Sequence, residues 1–161
     1  GLFDNHMVIL TPLPENTGQA IALVTRMWEA CGAHVTSLDV AQHDRILAAT
    51  SHLPHVLAYA LVDCLAAMDQ NDDISLFSAG GFRDFTRIAS SSPEMWADIC
   101  IANRDELLES IKQFREHLGR ITHCIENDDK AGLTGIFSRV KQAREDFLEN
   151  REGLLDKNRN K

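Results

Sequence analysis

The stretch Leu107-Leu108-Glu109-Ser110-Ile111-Lys112-Gln113-Phe114-Arg115-Glu116-His117-Leu118-Gly119-Arg120-Ile121-Thr122-His123-Cys124-Ile125 decides the fold class. Its residues Leu107, Ile111, Phe114, Leu118, Ile121 and Ile125 advance by 4, 3, 4, 3 and 4 positions. Those steps keep one apolar stripe in line along a helix, so the spacing predicts a long amphipathic helix with a seam like that of a coiled coil. Upstream, Ser92-Pro93-Glu94 begins the helix. Ser92 is the cap, and Pro93 takes the first helical position, where its missing N–H costs nothing. Downstream, Asn127-Asp128-Asp129 turns the chain and caps a last helix carrying Leu133, Ile136, Val140, Ala143 and Phe147. The residues after Leu155 form a polar tail expected to fray.

Everything back to Asp39 reads as helix. Asp39 caps a stretch with Ile46, Leu47 and Ala49, which Ser51-His52-Leu53-Pro54-His55 interrupts. Val56 to Met68 is apolar nearly all round except at Asp63, the pattern of a helix at the centre of a bundle. Gln70 to Asp73 is a polar loop, and Phe77, Phe82, Phe85 and Ile88 line a shorter helix broken near Gly80-Gly81. Before Asp39 the pattern changes. Residues 7–11 and 34–38 read as short strands around a helix capped by Asn16 or Thr17 and stopped at Cys31-Gly32. One strand–helix–strand unit is too small to be a sheet domain. It reads as the trailing edge of a larger α/β domain, and Gly1-Leu2-Phe3 as a cut rather than a natural beginning.

The 161 residues are 44% apolar and 25% charged, an ordinary globular composition. No apolar stretch reaches about 18 residues without interruption, so no membrane span or signal peptide is read. The net charge of −8 argues against nucleic acid as a partner. Residues 1–95 hold 4 Lys and Arg against 11 Asp and Glu, and two of those four, Arg83 and Arg87, fall in one short segment as a candidate anion clamp. Cys31, Cys64, Cys100 and Cys124 lie far apart with no C-x-x-C, so the expectation is reduced, mostly buried thiols in a cytoplasmic protein and no metal.

Two clusters carry chemistry. His52 and His55 share one helix face at the head of an apolar helix, where imidazoles need polar partners that a ligand cleft supplies. The run Gly80-Gly81-Phe82-Arg83-Asp84-Phe85-Thr86-Arg87, followed by Ser90-Ser91-Ser92-Pro93-Glu94-Met95-Trp96, offers a guanidinium fork for a carboxylate at Arg87. Asp84 stands ready to hold that fork when no ligand is bound, and the serines and Trp96 add hydroxyls and an aromatic wall. As structure alone, the same run is a helix joint with an internal Asp–Arg pair. There is no G-x-G-x-x-G, no P-loop and no G-x-S-x-G.

Taken in order, Val8-Ile9-Leu10-Thr11-Pro12, the His-Asp-Arg around Asp44, Ser51-His52-Leu53-Pro54-His55, Gly80 to Ala89 and Pro93-Glu94-Met95-Trp96 closely resemble the C-terminal part of the prephenate dehydrogenase (cyclohexadienyl or arogenate dehydrogenase) family, from about residue 3 to about residue 150. The resemblance implies oxidative decarboxylation of prephenate to 4-hydroxyphenylpyruvate, or of arogenate to tyrosine, with NAD or NADP. It also implies a mainly α fold: a helical dimerisation bundle preceded by a short remnant of an α/β nucleotide-binding domain. Residues 1–40 then trail a truncated Rossmann domain, 41–155 form the helical substrate-binding and dimerisation domain, and 156–161 are the polar tail.

His55 and Arg87 fall on the family's substrate-binding positions, with Arg87 on a carboxylate. Asp44, Asp84, Ser91 and Trp96 map to the pocket or its entrance, Trp96 reaching the neighbouring subunit's site. The family's catalytic histidine, in an H-P-x-x-G motif, and its dinucleotide turn have no counterpart here. No catalytic, cofactor-binding or metal-binding residue is therefore expected in this chain. The implied partners are a second copy, prephenate or arogenate, and tyrosine as an inhibitor. The rival reading is a non-catalytic helical dimerisation module or a tyrosine-sensing one.

Overall fold

The computed structural model describes residues 1–68 and 79–159, with side chains through residue 150. The expected loop at Gln70–Asp73 and the placement of Phe77 lie outside the described residues. Two compact units emerge, one of residues 1–40 with 115–161 and one of residues 41–114.

The first unit opens with β1 (Met7–Leu10), α1 (Gly18–Ala30) and β2 (His34–Ser37). The strands pair in parallel, Met7 against His34 through Leu10 against Ser37, so α1 is the crossover between them. Thr17 is the cap that forms, its hydroxyl accepting from the Ala20 N–H at 3.3 Å. Gly32, at φ +88°, supplies the left-handed step after α1, and a Cβ there would strike Asp4. The same unit holds the end of α6 (Arg104–Glu126) and α7 (Lys130–Arg159). Asp129 caps α7, its carboxylate accepting from the Gly132 N–H at 2.8 Å. The helix runs on to Arg159, so its backbone stays helical through most of the segment expected to fray.

The second unit holds α2 (Val40–Leu47), α3 (Leu53–Met68), α4 (Gly80–Thr86), a 3-10 turn (Arg87–Ser90) and α5 (Pro93–Ala102). Three expectations are corrected here. Ser51–His55 does not interrupt the helix as a loop. A π-turn at Ala48–His52 joins α2 to α3, giving an unbroken helical run of 29 residues, Val40–Met68, long and apolar enough by length and composition to cross a membrane. The helix starting at Pro93 does not run through the seam. It stops at Asn103, whose φ of −110° and ψ of 39° leave the helical region. The short helix does not reach Ile88: α4 begins at Gly80 and ends at Thr86, and Ile88 falls in the 3-10 turn.

Little of the apolar surface is covered within the chain. The buried hydrophobic side chains among the described residues are Ala33, Ala48, Ala58, Trp96, Leu107 and Cys124. Along the seam, burial fades from Leu107, 4% exposed, to Ile125, 60% exposed. On α3 only Ala58 is fully buried, so the central place in a bundle read for this helix is not filled by this chain. The cysteines follow the same rule. All are free thiols, but Cys31 and Cys64 are exposed, which corrects the expectation of general burial.

Candidate functional site

Pro54 shapes the helix that carries the two histidines. In a regular helix its N–H would bond the carbonyl of Thr50, four residues back, but proline has no N–H and its ring crowds that carbonyl. The π-turn relieves the conflict just before it, with the Leu53 N–H bonding the Ala48 carbonyl five residues back. At the end of this turn the Ser51 carbonyl accepts from His55 Nδ1 at 2.9 Å. A carbonyl only accepts, so the His55 proton sits on Nδ1 and neutral His55 offers Nε2 as an acceptor.

Trp96 closes the other side. Its ring stacks on His55 with centroids 3.6 Å apart and planes at 20°, and meets His52 edge-on at 6.1 Å and 76°. The indole is 8% exposed, and its N–H finds no acceptor among the described residues. Ser92 holds α5 in place as its cap, accepting from the Met95 N–H at 3.3 Å, with Pro93 in the first turn as read. Trp96 therefore stands against the histidines of its own chain.

His52 is reached from a distance in sequence. The side-chain amide of Asn103 lies 3.2 Å from His52 Nδ1 and donates to the Asp44 carbonyl at 2.7 Å. The Asp44 carboxylate accepts from His43 Nδ1 at 2.9 Å. Burial pushes the His52 pKa down, and His43 and His55 push it the same way against the opposing pull of Asp44. Burial thus disfavours the protonated form of His52. The polar partners expected from a ligand cleft come from the fold itself, one nitrogen per ring.

Ser91 joins the same group through its backbone, whose carbonyl accepts from the Tyr59 hydroxyl at 2.8 Å. Its own hydroxyl donates to the Ile88 carbonyl at 2.8 Å. The Tyr59 bond ties the 3-10 turn to α3, against which that turn packs. Arg87 opens the turn, exposed to solvent. The expected hold of Asp84 on Arg87 is absent. Both side chains are exposed, and no ion pair joins them among the described residues.

The fold thus gathers His52, His55, Trp96, Asp44 and Ser91, while Arg87 and Asp84 are exposed and make no ion pair among the described residues. Sequence reasoning missed Asn103 and Tyr59. Tyr59 carried a usable signal, since a lone phenol inside an apolar helix needs a partner. Asn103 carried none.

The arrangement offers an aromatic platform, two imidazole edges and a guanidinium without an ion pair among the described residues, groups that suit an anionic ring compound. The turn after β1 holds Pro12 and Pro14, which lack the N–H groups that phosphates need, and the cavity of about 250 Å³ beside it is lined by Leu10, Thr11, Pro12, Asn16, Ala20, Ile21 and Val24 with no charged group. No cluster of three His, Cys, Asp or Glu suited to a cation occurs among the described residues.

The profile of the prephenate dehydrogenase dimerization domain matches residues 39–139. The chain is 38% identical to the cyclohexadienyl dehydrogenase of Zymomonas mobilis, covering 89% of this chain and 50% of that protein. It is 32% identical to the prephenate dehydrogenase of Bacillus subtilis, covering 96% and 42%. The chain therefore spans about half the length of the curated relatives it matches. Among solved structures, the prephenate dehydrogenase of A. aeolicus in complex with hydroxyphenyl propionate and NAD+ superposes with a TM-score of 0.84 at 35% identity, over 91% of this chain and 51% of that one. The arogenate dehydrogenase of Synechocystis superposes with a TM-score of 0.78 at 27% identity, over 91% and 54%.

Proposed function

The chain belongs to the prephenate dehydrogenase family, whose dimerization domain it contains, and from that premise we propose that it is the C-terminal, substrate-binding and dimer-forming part of an NAD- or NADP-dependent dehydrogenase of tyrosine biosynthesis. The substrate is prephenate or arogenate, a carboxylated ring compound that loses carbon dioxide as it is oxidised. Residues 1–40 are the last part of the cofactor domain, 41–155 the helical domain and 156–161 its polar tail. Hydride acceptance belongs to the dinucleotide, held elsewhere in the enzyme, so these residues alone do not turn substrate over.

The observation that carries this reading is Arg87, exposed and without an ion pair among the described residues, on a turn packed against the helix that bears His55. Arg87 takes a substrate carboxylate in a two-bond fork. The His55–Trp96 stack forms one wall for the ring, and the imidazole edges of His55 and His52 meet its polar substituents. Asp44, Asp84 and Ser91 frame the entrance. Tyrosine has the ring and a carboxylate of the product and competes for the same groups. A cytoplasmic location goes with this role.

A second copy covers the apolar faces. Ile101, Leu108, Leu118, Ile125, Phe137, Val140 and Phe147 are all exposed here. Burying such side chains contributes about 1.5–3 kcal/mol each. A few from each copy offset the about 4–15 kcal/mol lost on association.

The test is an assay of the full-length enzyme with prephenate and with arogenate, following reduction of NAD and of NADP. Reduction with one of the four pairings is expected. Silence in all four, from a folded dimer, would leave the non-catalytic dimerisation module standing instead.

A further inference from the structure

We propose that Asn103 is a positioning residue, whose side-chain amide fixes the His52 proton on Nε2 so that a donor from His52 stands beside an acceptor from His55. Asn103 is itself well anchored. It sits at the break between α5 and α6, where its N–H bonds the Ile99 carbonyl at 3.0 Å and its carbonyl accepts from the Leu107 N–H at 3.1 Å. Its side chain then bridges α2 and the π-turn, reaching the Asp44 carbonyl at 2.7 Å and His52 Nδ1 at 3.2 Å with one and the same atom.

That shared atom decides the chemistry. The Asp44 carbonyl can only accept, so the atom facing it is the amide nitrogen. The opposite orientation would press two oxygens together at 2.7 Å. The nitrogen has two protons. One goes to Asp44, and the other points at His52 Nδ1, which must therefore present a lone pair. Neutral His52 then carries its proton on Nε2. His55 is the reverse, with Nδ1 donating to the Ser51 carbonyl and Nε2 left as a lone pair.

Neither Nε2 has a partner among the described residues, and neither is a buried orphan. Two imidazoles three positions apart thus offer opposite hydrogen-bonding ends. A hydroxyl, which both accepts and donates, satisfies the two together, whereas a carboxylate satisfies only His52. This pattern comes from backbone carbonyls and one amide, whichever substrate the enzyme takes.

The test is the two-bond proton–nitrogen NMR spectrum of the histidine rings in the nitrogen-15-labelled chain, at a pH where both are neutral. In the unaltered chain, His52 is expected to show an unprotonated Nδ1 and a protonated Nε2, and His55 the reverse. In Asn103→Ala the His52 preference is lost to a mixture while His55 keeps its proton on Nδ1. A protonated Nδ1 on His52 in the unaltered chain overturns the proposal without any variant being needed. So does an Asn103→Ala spectrum in which His52 is unchanged, or one in which both rings shift together, since that reports collapse of the site rather than loss of one bond.

Discussion

Replacing Arg87 by alanine separates binding from stability, because among the described residues the side chain has no ion-pair partner. It is exposed, and no ion pair joins it to Asp84 or to any other described residue. Its loss should change stability by no more than about 0.5 kcal/mol, as for other unpartnered surface positions. In a chain of this size that is a melting shift of about 1–2 °C. A charged two-bond fork to a substrate carboxylate is worth about 2–4 kcal/mol once the site excludes water, and less while it stays open. At about 1.4 kcal/mol per decade, KM for prephenate or arogenate should rise about 30- to 700-fold. The turnover number should change far less, since the carboxylate is held alike in ground and transition states. Arg87→Lys should recover only part of the loss, because an ammonium keeps the charge without the fork. Arg83→Ala is the control and should leave KM unchanged. The assay is steady-state kinetics of the full enzyme beside a thermal melt of each variant. An unchanged KM with a clearly lowered melting temperature would make Arg87 a structural residue and refute the site.

Light scattering of the 161-residue chain at micromolar concentration should give a dimer, and a mass of 18.0 kDa would contradict the apolar argument. Calorimetry should detect no NAD or NADP binding to the same chain, and tight binding would overturn the reading of the proline-rich turn after β1. Gly132→Ala should lower stability by about 1 kcal/mol. A Cβ there lies 2.1 Å from the Asp129 carboxylate and 3.1 Å from Cys124 Sγ, so the α7 cap must give way, at about 1–2 kcal/mol against a smaller gain in helix propensity; a raised melting temperature would refute this. His52 has a lowered pKa in the folded chain, so the unfolded chain binds its proton first. Its contribution to stability should be complete above the ordinary value of 6.5 and fade as pH falls through it, with a smaller acid loss in His52→Gln; equal losses in both proteins would show that other groups dominate.

What the sequence made legible was whatever local chemistry dictates. Thr17 and Gly32 bound α1 because a hydroxyl cap and a left-handed step are short-range requirements, and Ser92-Pro93 starts α5 for the same reason. The seam periodicity from Leu107 to Ile125 gave the direction of a helix but not its start: the break falls at Asn103, whose side chain bonds Asp44, 59 residues away. Periodicity cannot register a contact of that range. The π-turn was hidden for a different reason: Pro54 announces that a regular helix fails, but not whether the chain leaves the helix or loosens it by one residue. His55 and Trp96 could be singled out from the sequence as candidates, yet their stacking could not, because it joins two helices. The supposed Asp84–Arg87 pair shows the opposite error, in which correct spacing alone suggested a bond that the side chains do not make.

The π-turn at Ala48–His52 also sets how this segment tolerates insertion and deletion. Each residue of a helix turns its successors by about 100°. Removing any one residue from Ala48 to Ser51 would force the Pro54 conflict back into the helix and swing His43 and Asp44 about 100° away from the face of His55. The Asp44 carbonyl would then leave the reach of Asn103, although no site residue had changed. Replacing a letter in this turn leaves the geometry a means of recovery; changing the number of letters does not. A screen of single-codon deletions across residues 40–56 should therefore damage the enzyme more than substitutions at the same positions do.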